Sequence, residues 1–273
     1  MQSDNETEAA KTEPVPRNSR MTLVILIPNP GLVATPFFSS VIGLTQDLRK
    51  RGIRFAIKTY EFSDIMMSRN YLMSYFLSQK SFTHALLLDC DLEFTRSQFF
   101  RLVAFGKDCM IAPYPRRQIS IRKLQAEVER NLARPEDERL SPFDVFARTA
   151  GHVVQRGSSR KDWQPRREGD FVTVPGAGMG FTLISRRVPE AMVAAGLVDA
   201  FPAQGKLPIY ADAPEFHNFF GHMVSDDGGI ILGEDQSFFH RWVFGCGGDI
   251  WADTTAKLVH HGQFGFRGHF GAE

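Results

Sequence analysis

The sequence predicts an α/β domain built on a mostly parallel central sheet flanked by helices. Three observations predict it. Apolar runs of strand length alternate with helical stretches through the first half of the chain. Those runs are almost continuously apolar, as strands covered on both faces are. The chain has 273 residues with 43% apolar residues, enough for one large domain with a full core.

The elements follow in order. "TLVILIP" (Thr22–Pro28) reads as a buried strand and "FFSSVIGLTQDLRKRG" as a helix stopped by Gly52. "IRFAIKTYEF" is a second strand. "SDIMMSRNYLMSYFLSQK" is a helix with Ser63 or Asp64 as N-cap. "HALLLDCD" is a third strand, "TRSQFFRLVAFGK" a helix capped by Thr95, and "CMIAPYP" a fourth strand ended by Pro113 and Pro115. Ligands of such sheets bind beyond the carboxyl ends of the strands. "PNPG" (Pro28–Gly31), "DCD" and "PYPRR" (Pro113–Arg117) stand at those ends.

From Arg116 to Asp170 the pattern changes, with thirteen Arg or Lys against nine Asp or Glu. A helix over "ISIRKLQAEVERNLA" is the one regular element expected there. The segment 116–170 reads as a charged insertion, either a lid over the site or a solvated excursion. Regular structure then resumes. "DFVTVPGAGMGFTLISRR" reads as strand, glycine turn and strand, and "VPEAMVAAG" as a short helix. "GEDQSFFHRWVFG" is an amphipathic helix opened by acids, and "GDIWADTTAKLVHHG" is strand, turn and strand.

Composition narrows the function. A net charge of +1 gives no field to attract nucleic acid or an anionic membrane. Three cysteines without a CxxC argue against a structural zinc site and fit a reducing, cytoplasmic setting. Residues 1–20 are polar and are expected to form a disordered arm, with no apolar core of a signal peptide or stable membrane insertion. Residues 21–273 are expected to form a single domain.

Four motifs carry chemistry. Asp89 and Asp91 lie at i and i+2 after an apolar strand, so both can approach one hard cation, Mn²⁺ or Mg²⁺. The same spacing also suits a haloacid-dehalogenase-type phosphatase with Asp89 as nucleophile, but Glu93 stands where that pattern has Thr or Val. Gly176, Gly178 and Gly180 give GxGxG rather than the dinucleotide-binding GxGxxG, and a turn there lets backbone approach a ligand. Glu234 and Asp235 open a helix; one acid suffices for the helix dipole, leaving the other free as a general base. His260 and His261 end a strand on opposite faces.

In their order along the chain, these segments resemble the GT-A glycosyltransferases, more closely the family-2-like and Anp1-like members. "VILIPNPG", "MSRNYL", "LLLDCDLEF", "APYPRRQI", "VPGAGMGFTLISRRV", "GEDQSFFHRW" and "LVHHG" carry the resemblance. It implies a GT-A (nucleotide-diphospho-sugar transferase) fold and a metal-dependent transfer of sugar from a UDP- or GDP-sugar to an acceptor hydroxyl. Asp89, Asp91 and His260 would be the metal set, with Asp89 also touching the nucleotide. Asp235 would be the base of an inverting transfer, with Glu234 beside it. Pro28, Asn29, Arg69, Asn70 and the Gly178 turn would hold the nucleotide sugar. The tail "QFGFRGHFGAE" would close over the donor with Arg267 or His269 near the phosphates. A sugar-nucleotide-binding domain without turnover is a further alternative. The acceptor, the donor sugar and the oligomeric state are open.

Overall fold

The computed structural model describes residues 21–155, 157–158, 163–202, 215–225 and 228–262. The N-terminal arm, Arg267 and His269 lie outside the described residues. The chain begins β1 (Thr22–Asn29), α1 (Thr35–Lys50), β2 (Arg54–Glu61), α2 (Ile65–Ser78), β3 (His84–Leu88), β4 (Leu92–Glu93), α3 (Arg96–Phe105) and β5 (Cys109–Ile111). The charged segment holds α4 (Ile121–Leu132), α5 (Pro142–Thr149), β6 (Val154–Gln155) and β7 (Arg167–Glu168). After it come β8 (Phe171–Val174), β9 (Gly176–Ala177), β10 (Phe181–Ser185), α6 (Arg187–Ala194), β11 (Ala200–Pro202), β12 (Glu215–His217), β13 (Met223–Val224) and β14 (Ile231–Leu232). The described chain ends with α7 (Glu234–His240), β15 (Ile250–Asp253) and β16 (Val259–His260).

Eight strands form one sheet in the order β2-β1-β3-β10-β5-β15-β8-β7. All of them run the same way except β8 and β10, so the sheet is mostly parallel, as the sequence predicts. Alternate residues of each strand feed opposite faces. Val24, Leu26, Leu87 and Ile184 pack with α2, α6 and α7, while Leu23, Ile25, Leu86 and Leu183 pack with α1 and α3. Two covered faces explain the unbroken apolar runs.

Local chemistry sets the helix ends. Asp64 caps α2 by accepting from the Met67 amide at 3.1 Å. The Thr95 amide donates to Gln98 Oε1 at 2.8 Å, and Gly106 closes α3 at φ 69°. The C-terminal carbonyls of α2 are satisfied from across the fold. The Arg186 guanidinium donates to the carbonyls of Leu77 and Phe82 at 3.0 and 2.7 Å, and also to those of Phe76 and Gln79.

Two pairings differ from the local reading. "FVTV" and "FTLIS", either side of the glycines, are not a hairpin. β8 pairs with β15 and β7, whereas β10 pairs with β3 and β5. Both run in the same direction with β5 and β15 between them, so the glycine segment is a crossover. "IWAD" and "VH" likewise do not pair with each other; β16 pairs with β4, immediately after Asp91. The charged segment is more ordered than expected. It carries a second helix, α5, and its last strand joins the sheet edge. No helix among the described residues is long and apolar enough to cross a membrane.

The crossover and the β4–β16 ladder decide where the carboxylates meet, and Arg69 reaches them from α2, which packs on α6 and the sheet. Arg186→Ala, which strips several charge-assisted hydrogen bonds from the end of α2, is expected to cost about 3 kcal/mol. Urea denaturation should show a lower midpoint with an unchanged slope; an unchanged midpoint would remove Arg186 from this role.

Candidate active site

The order β2-β1-β3 reverses the winding direction of the sheet between β1 and β3. Reversals of this kind place a ligand crevice beyond the carboxyl ends of the strands. The loops after the two strands are tied together: the Ala34 amide donates to the Cys90 carbonyl at 3.0 Å. Asp89 and Asp91 sit on that loop.

Arg69, from the buried middle of α2, organises one half of the site. It is only 3% exposed. Its Nη2 donates to Asp89 Oδ1 at 2.8 Å, and its Nη1 to Glu234 Oε1 at 3.0 Å and to Asp235 Oδ1. One guanidinium therefore joins the end of β3 to the start of α7. Burial opposes its charge, but Asp235 and Asp89 outweigh that and hold Arg69 firmly protonated. Asp235 Oδ2 also accepts from the Met179 amide at 3.1 Å. With three carboxylates around one cation, the least hydrated acid holds its proton longest. Burial pushes Asp235 up to about 7, against the pull of Arg69 and with further push from Glu234 and Asp89.

The crossover glycines are explained by crowding. A Cβ on Gly180 would lie 2.5 Å from Asp89 Oδ2, and one on Gly178 would lie 2.5 Å from Val153 Cγ1 and run into the Tyr114 hydroxyl. One on Gly176 would strike the Gln236 side chain. Gly178 thus brings backbone close to site side chains. The Gly180 amide donates to Tyr114 Oη at 3.1 Å. Burial first, then the charges of Asp89 and Asp235, push the Tyr114 phenol well above its usual range, so it stays protonated.

Asp91 organises the other half. The β4–β16 ladder pairs His260 with Leu92, and the His261 amide donates to the Asp91 carbonyl at 2.8 Å. His260 Nε2 then lies 3.3 Å from Asp91 Oδ2. Its Nδ1 donates to the Pro115 carbonyl at 2.8 Å, which directs Nε2 at the carboxylate. Burial works against charge on the imidazole, but the hydrogen bond to Asp91 prevails and raises its pKa. Burial also opposes ionisation of Asp91, and His260 and Arg117 overcome it, so its pKa falls. Arg117 Nη1 donates to Asp91 Oδ2 at 2.9 Å.

The sequence-predicted residues divide accordingly. Glu234, Asp235, Asp89 and Arg69 converge, and Asp91 and His260 converge. Asn70 does not face the crevice. It is fully buried, its amide donates to Asn218 Oδ1 at 2.9 Å, and its oxygen accepts from the Phe220 amide at 2.8 Å. Pro28 is buried in β1, and Asn29 at the strand end accepts from the Gly31 amide at 2.9 Å. Glu93 turns away from the aspartates to His261, with Oε2 at 2.9 Å from Nε2. Arg117 and Tyr114 are site residues that motif reading missed. The position of "PYPRR" at a strand end was the available signal. Cys90, between the aspartates, is no nucleophile, since burial and both aspartates push its thiol up to about 11.

Among the described residues, no group of three or more His, Cys, Asp or Glu side chains could hold a metal ion. The set Asp89, Asp91 and His260 is not gathered, because the Arg69 guanidinium takes the Asp89 carboxylate. The donors that do meet fit a divalent cation. Asp91 Oδ1 is buried without a hydrogen-bond partner, His260 Nε2 lies 3.3 Å from the other oxygen of the same carboxylate, and carboxylate with imidazole suits Mn²⁺.

No protein-family model and no curated protein matches this sequence. The structure is similar to that of A197 from STIV, with 18% identity and a TM-score of 0.44, covering 92% of this chain and 100% of that one. It is similar to a Drosophila β1,4-galactosyltransferase 7 mutant in complex with manganese, UDP-Gal and xylobiose, with 13% identity, a TM-score of 0.41 and coverage of 89% and 71%. It is also similar to mouse xyloside xylosyltransferase 1 in its apo form, with 13% identity, a TM-score of 0.30 and coverage of 82% and 81%. These are likenesses of architecture; the functional reading rests on the residues.

The raised Asp235 has a consequence for stability. A carboxyl that binds its proton more tightly folded than unfolded stabilises fully below the ordinary carboxylate pKa. That contribution is lost as pH rises through about 7. Asp235→Asn, a neutral isostere, should therefore melt at a higher temperature than the wild type at pH 8, and the gap should shrink as pH falls and close near pH ~4. A difference independent of pH would contradict the assignment.

Proposed function

We propose that this chain is a metal-dependent glycosyltransferase with a single GT-A domain over residues 21–273. It would move a sugar from a UDP- or GDP-sugar to an acceptor hydroxyl with inversion. The observation that carries this reading is the convergence of two unlike sets of carboxylates on one loop. Asp91 meets His260, and two residues earlier Asp89 meets Arg69, which in turn holds Glu234 and Asp235.

Such a reaction has two electrostatic demands. Charge develops on the departing diphosphate, and the acceptor hydroxyl must lose a proton as it attacks. Asp91 and His260 would hold Mn²⁺ or Mg²⁺, which when bound neutralises diphosphate charge without proton transfer. Asp235 would accept the acceptor's proton as the new glycosidic bond forms and the bond to the diphosphate oxygen breaks. A base with a pKa of about 7 suits that task at neutral pH. Arg69 would keep Asp235 aimed while Glu234 shares the guanidinium. Asn29 and the β1 loop lie where the nucleoside half of the donor would sit.

Nothing in the geometry favours the phosphatase reading. Glu93, which stands where that pattern has Thr or Val, turns to His261 instead.

A ligand that binds only the folded protein raises the melting temperature. UDP or GDP with Mn²⁺ should do so here, and no shift with any nucleoside diphosphate, with or without metal, would sink the proposal. Asp235→Asn should keep that shift and lose transfer by roughly 10²–10⁴. Unchanged turnover in this variant would remove Asp235 as the base.

A further inference from the structure

Asp91 serves two cationic groups through one oxygen. Arg117 Nη1 lies 2.9 Å and His260 Nε2 lies 3.3 Å from Oδ2, whereas Oδ1 is buried with no partner. The two arginines of the site are held in opposite ways. Arg69 is boxed in by three carboxylates and buried. The Arg117 side chain is 54% exposed, and Asp91 is its one ion-pair partner among the described residues. Its stem runs over Gly262, where a Cβ would come within 2.6 Å of Arg117 Cδ. The glycine that ends the described chain thus leaves a lane for the arginine.

We infer that Arg117 supplies the positive charge at Asp91 in the ligand-free protein and hands the carboxylate over when a divalent cation and a diphosphate bind, then pairing with the diphosphate. The inference rests on the reading of Asp91 and His260 as cation ligands. A half-exposed ion pair holds Arg117 only weakly. A dication arriving at the same carboxylate repels the guanidinium. The strongest anion then within reach is the diphosphate, whose oxygens a planar guanidinium matches in pairs. Arg117 would therefore oppose the free metal and favour the metal diphosphate. The cation would bind firmly only together with its substrate.

The test is a Mn²⁺ titration of the full chain, followed by the electron paramagnetic resonance of free Mn²⁺, with and without inorganic pyrophosphate. The proteins are wild type, Arg117→Gln, Arg117→Lys and Asp91→Asn. Without pyrophosphate, Arg117→Gln should bind Mn²⁺ about two- to five-fold more tightly than wild type, the range set by losing a competing surface ion pair. With pyrophosphate the order should reverse. Arg117→Lys, which keeps the charge, should stay near wild type without pyrophosphate. Mn²⁺ binding that is lost in Asp91→Asn but identical in wild type and Arg117→Gln under both conditions overturns this inference and leaves the metal reading standing. Binding unaffected by Asp91→Asn, or no binding by any of the four, overturns the metal reading itself and the inference with it.

Discussion

One buried guanidinium holds the chemistry of this protein together. Arg69 projects from the middle of a helix that is itself enclosed by the sheet, α6 and the turn around Phe219 and Phe220. A buried charge is tolerated only when it is paired and hydrogen-bonded. The three carboxylates that satisfy Arg69 come from segments far apart in sequence, so meeting its demand fixes how β3 and α7 approach each other. The same demand makes the site costly, because three acids share one cation. Asp235 bears that cost as a raised pKa, which is the property a general base at neutral pH requires.

A second constraint is smaller and more fragile. Two residues of ladder, Val259 with Glu93 and His260 with Leu92, bring the end of the described chain back to the DCD loop. The Glu93–His261 contact sits beside that ladder, so Glu93 acts on the site through strand pairing rather than by reaching a ligand. His260 is aimed from both sides, by the Pro115 carbonyl behind and Asp91 in front. The Asp91 half thus depends on the end of the described chain, whereas the Arg69 half is built around a buried helix.

Much of the fold was legible in the sequence, for local reasons. Apolar runs marked β1, β3 and β5; Asp64, Thr95 and Gly52 marked helix ends through their own side-chain and backbone chemistry. Partner choice was not legible. "FVTV" and "FTLIS" flank six residues of glycine-rich chain and look like a hairpin, because sequence distance says nothing about the strands that come between them. The glycines are there for the side chains of Asp89, Tyr114 and Gln236, which no window around them contains. Asp89, Asp91, Glu234, Asp235 and His260 were singled out because their chemistry is local to a motif, and the structure brings Asp89 together with Glu234 and Asp235 on Arg69, and Asp91 together with His260. Asn70 was misread because an Arg-Asn pair on a helix has two faces, and the buried amide went to the Asn218–Phe220 turn. Arg117 was missed because its meaning lies in a carboxylate 26 residues away.

Asp91 and His260 are proposed as the cation end of a nucleotide-sugar site whose base end is Asp235. The most direct measurement is anomalous diffraction from crystals grown with Mn²⁺ and UDP or GDP. A manganese peak is expected beside the Asp91 carboxylate and His260 Nε2, with the diphosphate next to it and Asp235 across the site. A nucleotide bound in the crevice with manganese elsewhere, or a diphosphate that does not approach Asp91, would contradict it.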